Sequence, residues 1–282
     1  MLIGYLGPKG TFSEEAATRY FAGTSATLIA YPTVPEVMED VSKGVIDQGI
    51  LPLENTIEGS INLTLDSLAD ASNVFVHGEL ILSISLQLLG IPSAKLDEIE
   101  EVWSIAPAIS QCYKFIRGLG ATMQLTDSTA SAAKLVKDAD DVHRAAVASA
   151  WAAKEFGLQI LASDIQDVAL NHTRFVVFSQ EETFRSDADK TMLLITPSQE
   201  HAGMLANILQ VFATLELNLA WIESRPTKAR LGTYQFYMEV QVGKNDERMG
   251  KALAILDILG HQVRVLGSFV GGELQSTEAL TL

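Results

Sequence analysis

The stretch "LIGYLGPKGTFSEEAATRYF", residues 2–21, reads as strand, turn and helix in immediate succession. Ile3 to Leu6 form a short apolar strand, Gly7, Pro8 and Gly10 are turn residues, and Ser13 is placed to cap a helix. Glu14 and Glu15 fill the first turn, where the helix dipole favours acids. A second unit follows at once: "ATLIAYPTV", "PEVMEDVSKGVI" and the apolar "QGILPL". Strands alternating with helices imply an α/β fold on an open, largely parallel sheet.

The long apolar run "FVHGELILSISLQLLGIP", residues 75–92, predicts crossing strands that enter a second α/β lobe. That lobe holds the helical "AISQCYKFIRGLG", "STASAAKLVKDAD" and "HRAAVASAWAAKEFG". Residues 1–180 therefore read as a two-lobed α/β domain with its ligand cleft at the carboxyl ends of the strands. The charged stretch 181–190 reads as a linker. Beyond it, residues 191–275 run strand, helix, strand, strand, helix, strand, the ferredoxin-like βαββαβ plan.

Composition limits the function. Of 282 residues 48% are apolar and 20% charged, the balance of a globular protein with a sizeable core. No apolar run is long enough to span a bilayer, and "MLIGYLGPKGTFS" lacks a basic leader, so a cytoplasmic protein is expected. Cys112 is the only cysteine, which excludes an internal disulfide framework and a cysteine-rich zinc site. The net charge is -15, of which residues 1–188 carry -13 and residues 189–282 carry -2. A field of that sign disfavours nucleic acid and anionic membranes, and it obliges any anionic ligand to find local donors.

Four polar stretches stand out. In "GPKGTFSEEAA" the amides and hydroxyls near Thr11 and Ser13 can meet an anion at a helix start. In "LPLENTIEGSINLTLDSL", Asn55, Thr56 and Ser60 are neutral donors suited to a carboxylate. Glu58 can move a proton if burial raises its pKa. "NHTRF", residues 171–175, leads into the apolar "VVFS". If the strand includes Thr173, then Thr173 and Phe175 share a face and Arg174 points to the other. Either Arg174 braces the lobes, or the strand begins at Phe175. "NLAWIESRP", residues 218–226, ends a strand in a Glu-Ser-Arg-Pro run.

Together these motifs resemble prephenate dehydratase. "GPKGTFSEEAA", "LPLENTIEGS…TLDSL", "STASAA" and "NHTRF" match that family's motifs in order, and "GMLANILQVF" and "NLAWIESRP" resemble the phenylalanine-binding motifs of its ACT domain. The resemblance implies a periplasmic-binding-protein-like fold for the two lobes and a catalytic set of Thr173, Glu58 and Arg174. Substrate contacts would come from Thr11, Ser13, Asn55, Thr56, Gly59, Ser60, Thr129 and Phe175. An allosteric phenylalanine site would use Gly203, Met204, Leu205, Asn218, Glu223, Ser224, Arg225 and Pro226. Neither cofactor nor metal is implied; prephenate, L-phenylalanine and a homodimer or homotetramer are. The chain departs from the family where a usual His-Pro-Gln stretch after a Ser becomes Ile105, Ala106 and Pro107, and where a usual His becomes Leu86. Met204 replaces a usual Ala. A non-catalytic two-lobed binding protein and an arogenate-using relative are the rival readings. A fused chorismate mutase is not expected, because no helical extension precedes "MLIGYLG".

Overall fold

The computed structural model describes residues 1–182, 185–199 and 201–275, so part of the expected linker, residues 183 and 184, lies outside the described residues. The first lobe is built from β1 (Leu2–Leu6), α1 (Phe12–Tyr20), β2 (Thr27–Tyr31), α2 (Val34–Ser42), β3 (Gln48–Asn55), β4 (Gly59–Ser60), α3 (Asn62–Asp70) and β5 (Phe75–Ser83). The second lobe contains β6 (Gln87–Gly90), β7 (Glu101–Ser104), α4 (Ala106–Gln111), α5 (Tyr113–Leu119), β8 (Thr122–Leu125), α6 (Thr129–Ala139), β9 (Arg144–Ala148), α7 (Ala150–Phe156) and β10 (Gln159–Ala162). The chain then returns to the first lobe in β11 (His172–Ser179).

Within each lobe the sheet is parallel on one side only, out to the edge strands β2 and β8. β1 pairs in parallel with β2 and β3, and β7 with β8 and β9. The strands that cross between lobes run the other way, β11 against β3 and β5, and β6 against β9 and β10. The largely parallel sheet expected from the sequence is therefore mixed. A strand that enters from the opposite lobe arrives from the end at which a βα unit would leave.

The last unit comprises β12 (Lys190–Thr196), α8 (Met204–Thr214), β13 (Leu219–Pro226), β14 (Tyr234–Val240), α9 (Glu247–Ile258) and β15 (Gln262–Phe269), followed by the short β16 (Leu274–Gln275). Its strands lie in the order β13-β14-β12-β15. β12, in the middle of the sheet, is buried on both faces, which is why it reads as an unbroken apolar run. Leu193, Ile195, Phe236 and Met238 pack under α8 and α9. Met192, Leu194, Tyr237 and Leu266 join Leu51, Leu65, Leu68 and Val176 of the first lobe in a shared core.

The two sheets merge where β15 meets β5, at Gly267 opposite Val76. A Cβ on Gly267 would collide with the Val76 carbonyl, so only glycine lets the strands close up there. The lobe-facing side of the unit also holds α3. Arg225 grips Asp66 through two bonds of 3.0 Å, and Arg264 donates to the carbonyls of Leu68, Ala69 and Ala71 at the end of the helix.

Candidate active site

Between the lobes lies a cavity of about 220 Å³. The first lobe contributes Phe12, Asn55, Glu58, Ile61, Ile84, Asn171 and Thr173; the second contributes Leu86, Ile105, Pro107, Ala108, Gln111 and Thr129. Its wall is thus mostly apolar, with a polar floor where β3 meets β11.

The floor is a chain of hydrogen bonds. Asn55 Nδ2 donates to Thr173 Oγ1 at 3.0 Å and to Asn171 Oδ1 at 2.8 Å. Asn55 Oδ1 accepts from the amides of Ile57 at 2.9 Å and Glu58 at 3.0 Å, which fixes its side chain. Asn171 Nδ2 donates to Gln111 Oε1 at 2.9 Å, and Gln111 Nε2 donates to Glu58 Oε1 at 3.1 Å. Asn171 is 1% exposed and Thr173 8%. Among the described residues Asn55 is the only hydrogen-bond partner of the Thr173 hydroxyl. One lone pair is taken, and the hydroxyl proton is left to donate into the cavity.

The sequence-predicted residues divide. Asn55, Glu58, Thr129 and Thr173 line the cavity. Phe175 does not: it is 1% exposed and packs with Ile3, Tyr5 and Ile50 inside the first lobe. Phe12 supplies the aromatic wall instead. Arg174 corrects the expected catalytic set. The strand begins at His172, so alternation turns Arg174 to the opposite face. There it pairs with Glu79 of β5 and Glu239 of β14.

Loop chemistry accounts for the other misplacements. Thr11, not Ser13, caps α1, accepting from the Glu14 amide at 3.2 Å while donating to Pro8 O at 3.0 Å. Ser13 is buried in the first turn. Thr56 Oγ1 accepts from the His172 amide at 3.0 Å and so braces β11. Gly59, the first residue of β4, takes a φ of 81°, and Ser60 Oγ donates to Glu223 Oε2 at 2.7 Å, away from the cavity. Glu58 is exposed to solvent, and its Oε1 accepts from Gln111 Nε2.

Several participants carry no local signal in the sequence. Gln111 is a polar residue in an ordinary helix, and its partners lie 53 and 60 residues away. Glu14, expected only as a helix-start acid, is buried and accepts from Tyr5 Oη at 3.1 Å, the Gly10 amide at 2.7 Å and Trp151 Nε1 at 3.0 Å. Trp151 belongs to α7, so this carboxylate ties the lobes together beside the cleft. Trp151→Phe keeps the ring and deletes the donor. It is expected to cost about 1.5–3 kcal/mol, the range for hydrogen bonds to charged groups, read from urea unfolding.

The residues expected at an effector site are also split. Gly203, at a φ of 85°, precedes α8, and the buried Met204 opens it. Met204 lines a second cavity of about 290 Å³ with Ser198, Gln199, His201, Asn207, Leu259 and His261. Leu205, in the first turn of α8, is partly buried, and Asn218 donates to Gln241 Oε1 at 2.6 Å. Along β13 burial alternates. Ser224 and Pro226 face outward, while Glu223 and Arg225 face the first lobe and bind Ser60 and Asp66. The 223–226 run therefore cannot serve one ligand with all four side chains.

Comparison with known proteins agrees with this geometry. The prephenate dehydratase family profile matches residues 3–183. A prephenate dehydratase of Bacillus subtilis is 35% identical over 286 residues, spanning 97% of this chain and 100% of that protein. The crystal structure of a Staphylococcus aureus prephenate dehydratase superposes with a TM-score of 0.86 at 36% identity, covering 95% of this chain and 100% of the other. A prephenate dehydratase of Arthrobacter aurescens, solved in complex with L-Phe, gives a TM-score of 0.87 at 32% identity, covering 96% of this chain and 90% of that one. An apolar interlobe cleft floored by an Asn-oriented threonine thus belongs to a chain that is a member of the prephenate dehydratase family.

Proposed function

We propose that the chain converts prephenate to phenylpyruvate, carbon dioxide and water for phenylalanine biosynthesis, and that L-phenylalanine controls it through the C-terminal unit, an ACT domain. The observation that carries the chemistry is the Thr173 hydroxyl, aimed by Asn55 into an otherwise apolar cleft. The bond to the ring carboxylate breaks, its electron pair enters the ring, and the bond to the ring hydroxyl breaks as the ring becomes aromatic. Thr173 donates a hydrogen bond to that departing oxygen. A threonine hydroxyl is too weak an acid to give up its proton outright. The proton that completes the water molecule comes from solvent, by a relay past Glu58, the exposed acidic residue among the described lining residues.

The substrate is a dianion, yet the described lining residues include no Lys or Arg. Phe12 and Thr129 are the first residues of α1 and α6, so the positive ends of two helix dipoles from opposite lobes meet at the cavity. Oriented amides and the Asn171 side chain, whose Nδ2 has a second hydrogen beyond the one given to Gln111, hold the carboxylates, while Asn55 Nδ2 is committed to Thr173 and Asn171. The apolar wall, to which Leu86, Ile105 and Pro107 belong, leaves the departing one poorly solvated. Where the family usually places polar side chains, this chain extends that wall.

We assign residues 1–180 to catalysis, 181–190 to the linker and 191–275 to regulation, in a cytoplasmic homodimer or homotetramer. The phenylalanine-bound relative supports the effector reading. The effector acts by favouring one of two arrangements of the cleft, since equal binding to both would shift nothing. Purified protein incubated with prephenate is expected to form phenylpyruvate, and millimolar phenylalanine is expected to slow it. Unchanged turnover with phenylalanine would refute the regulation, and absence of phenylpyruvate would refute the reaction.

A further inference from the structure

The hairpin that carries Asn55 is held from outside its own lobe. β3 turns back into β4, pairing Glu54 with Ser60 and Asn55 with Gly59. Residues 56–59 are exposed, and a Cβ on Gly59 would meet nothing within 4 Å. Packing therefore does little to hold the hairpin, and such segments move unless hydrogen bonds restrain them. On one side Thr56 and His172 exchange two bonds, of 2.9 and 3.0 Å. On the other, Ser60 Oγ donates to Glu223 Oε2 at 2.7 Å, and Glu223 belongs to β13 of the C-terminal unit. Two residues further along β13, Arg225 clamps Asp66 of α3, the helix that follows the hairpin. Glu223 thus reaches from a fixed strand to the β4 side of a hairpin whose other side is held by the bonds of Asn55 and Thr56 to β11.

We infer that Glu223 is a positioning residue for the dehydration itself: by accepting the Ser60 hydroxyl it sets the hairpin 54–60, and with it the Asn55 amide that aims Thr173. The C-terminal unit then contributes to basal turnover, with no effector bound. Glu223 acts through Ser60 and the hairpin and touches no reacting atom. This inference rests on the role of Thr173, and the two can fail separately.

The test uses the full chain without phenylalanine, measuring kcat and KM for prephenate together with the unfolding midpoint. A misplacement of about 1 Å at a reacting group can cost on the order of 100-fold, so Glu223→Ala is expected to lower kcat roughly 10- to 100-fold with KM little changed. Glu223→Gln keeps an acceptor for Ser60 Oγ and is expected to restore most of the loss. Ser60→Ala, which removes a single oxygen, is expected to match Glu223→Ala, and the double variant to be no slower than either. If Glu223→Ala does not fold, Ser60→Ala and Glu223→Gln carry the comparison. Wild-type kcat in Ser60→Ala, multiplying losses in the double variant, or a glutamine variant as slow as alanine would each overturn the inference. If Thr173→Ala is also fully active, the underlying reading fails; if Thr173→Ala is slow while Ser60→Ala is not, only the role of Glu223 falls.

Discussion

Thr173→Ala is expected to lower kcat on the order of 10²–10³-fold, the usual cost of losing one preorganised donor to a developing negative charge. The loss should fall on kcat and leave KM nearly unchanged, because the bond strengthens only as the ring hydroxyl departs. The fold should survive. Asn55 Nδ2 keeps two other acceptors, Asn171 Oδ1 at 2.8 Å and His172 O at 3.2 Å, so no buried donor is orphaned. Thr173→Ser retains the hydroxyl and the Asn55 bond and is expected to keep most of the turnover. Steady-state kinetics on prephenate, with circular dichroism as a check on folding, decides the matter. Near-normal turnover in Thr173→Ala would remove Thr173 from the mechanism.

The largest expected effect on stability lies on the opposite face of the same strand. The Glu79 side chain is 0% exposed and accepts from Arg174, from Lys190 Nζ at 2.7 Å and from the Gly272 amide at 2.8 Å. Glu239 is the other acid in the cluster, held by Arg174 and by Lys190 at 3.2 Å. Removing one member of a buried ion network leaves its partners desolvated without compensation, so Glu79→Ala is expected to cost about 3–5 kcal/mol. That is a large share of the ~5–15 kcal/mol that holds a protein folded. The effect has a defined pH dependence. Burial alone would raise the Glu79 carboxyl above its ordinary 4.5, but Arg174, Lys190 and the Gly272 amide outweigh burial and hold it below. A depressed acid stabilises the fold at pH above its unfolded value and loses that contribution as pH falls through its folded value. Urea unfolding should therefore show a gap between wild type and Glu79→Ala that is full at pH 7 and narrows below about pH 4.5. An equal gap at both ends of that range would contradict the charge-based account.

Strand alternation proved the most informative signal in the sequence. Applied to 173–175, it separates Thr173 from Arg174, as the structure does. It does not tell how deep Phe175 sits: a register shift against β3 between Arg174 and Phe175 accompanies its burial in the core. The same rule divides 223–226, where sequence motifs alone group four residues into one site. Capping chemistry was legible as a helix start near residue 13 but not as the choice of Thr11, because either hydroxyl suits the position. Gln111 and Trp151 could not be read at all. Their roles come from partners more than 50 residues away, and a polar or aromatic residue on a short helix looks the same with or without such a partner.

The seam at Gly267 restricts how the C-terminal unit could be lost. β5 has β11 on one flank and β15 and β16 on the other. Trimming the chain after the catalytic lobes would lay bare one edge of β5 and the apolar underside of α3, surfaces that invite aggregation. Deletion of the C-terminal unit is thus an unfavourable way to lose the regulation proposed above. Under that proposal, deregulated forms come from single side chains that blunt the effector's preference while the C-terminal unit stays in place as scaffold.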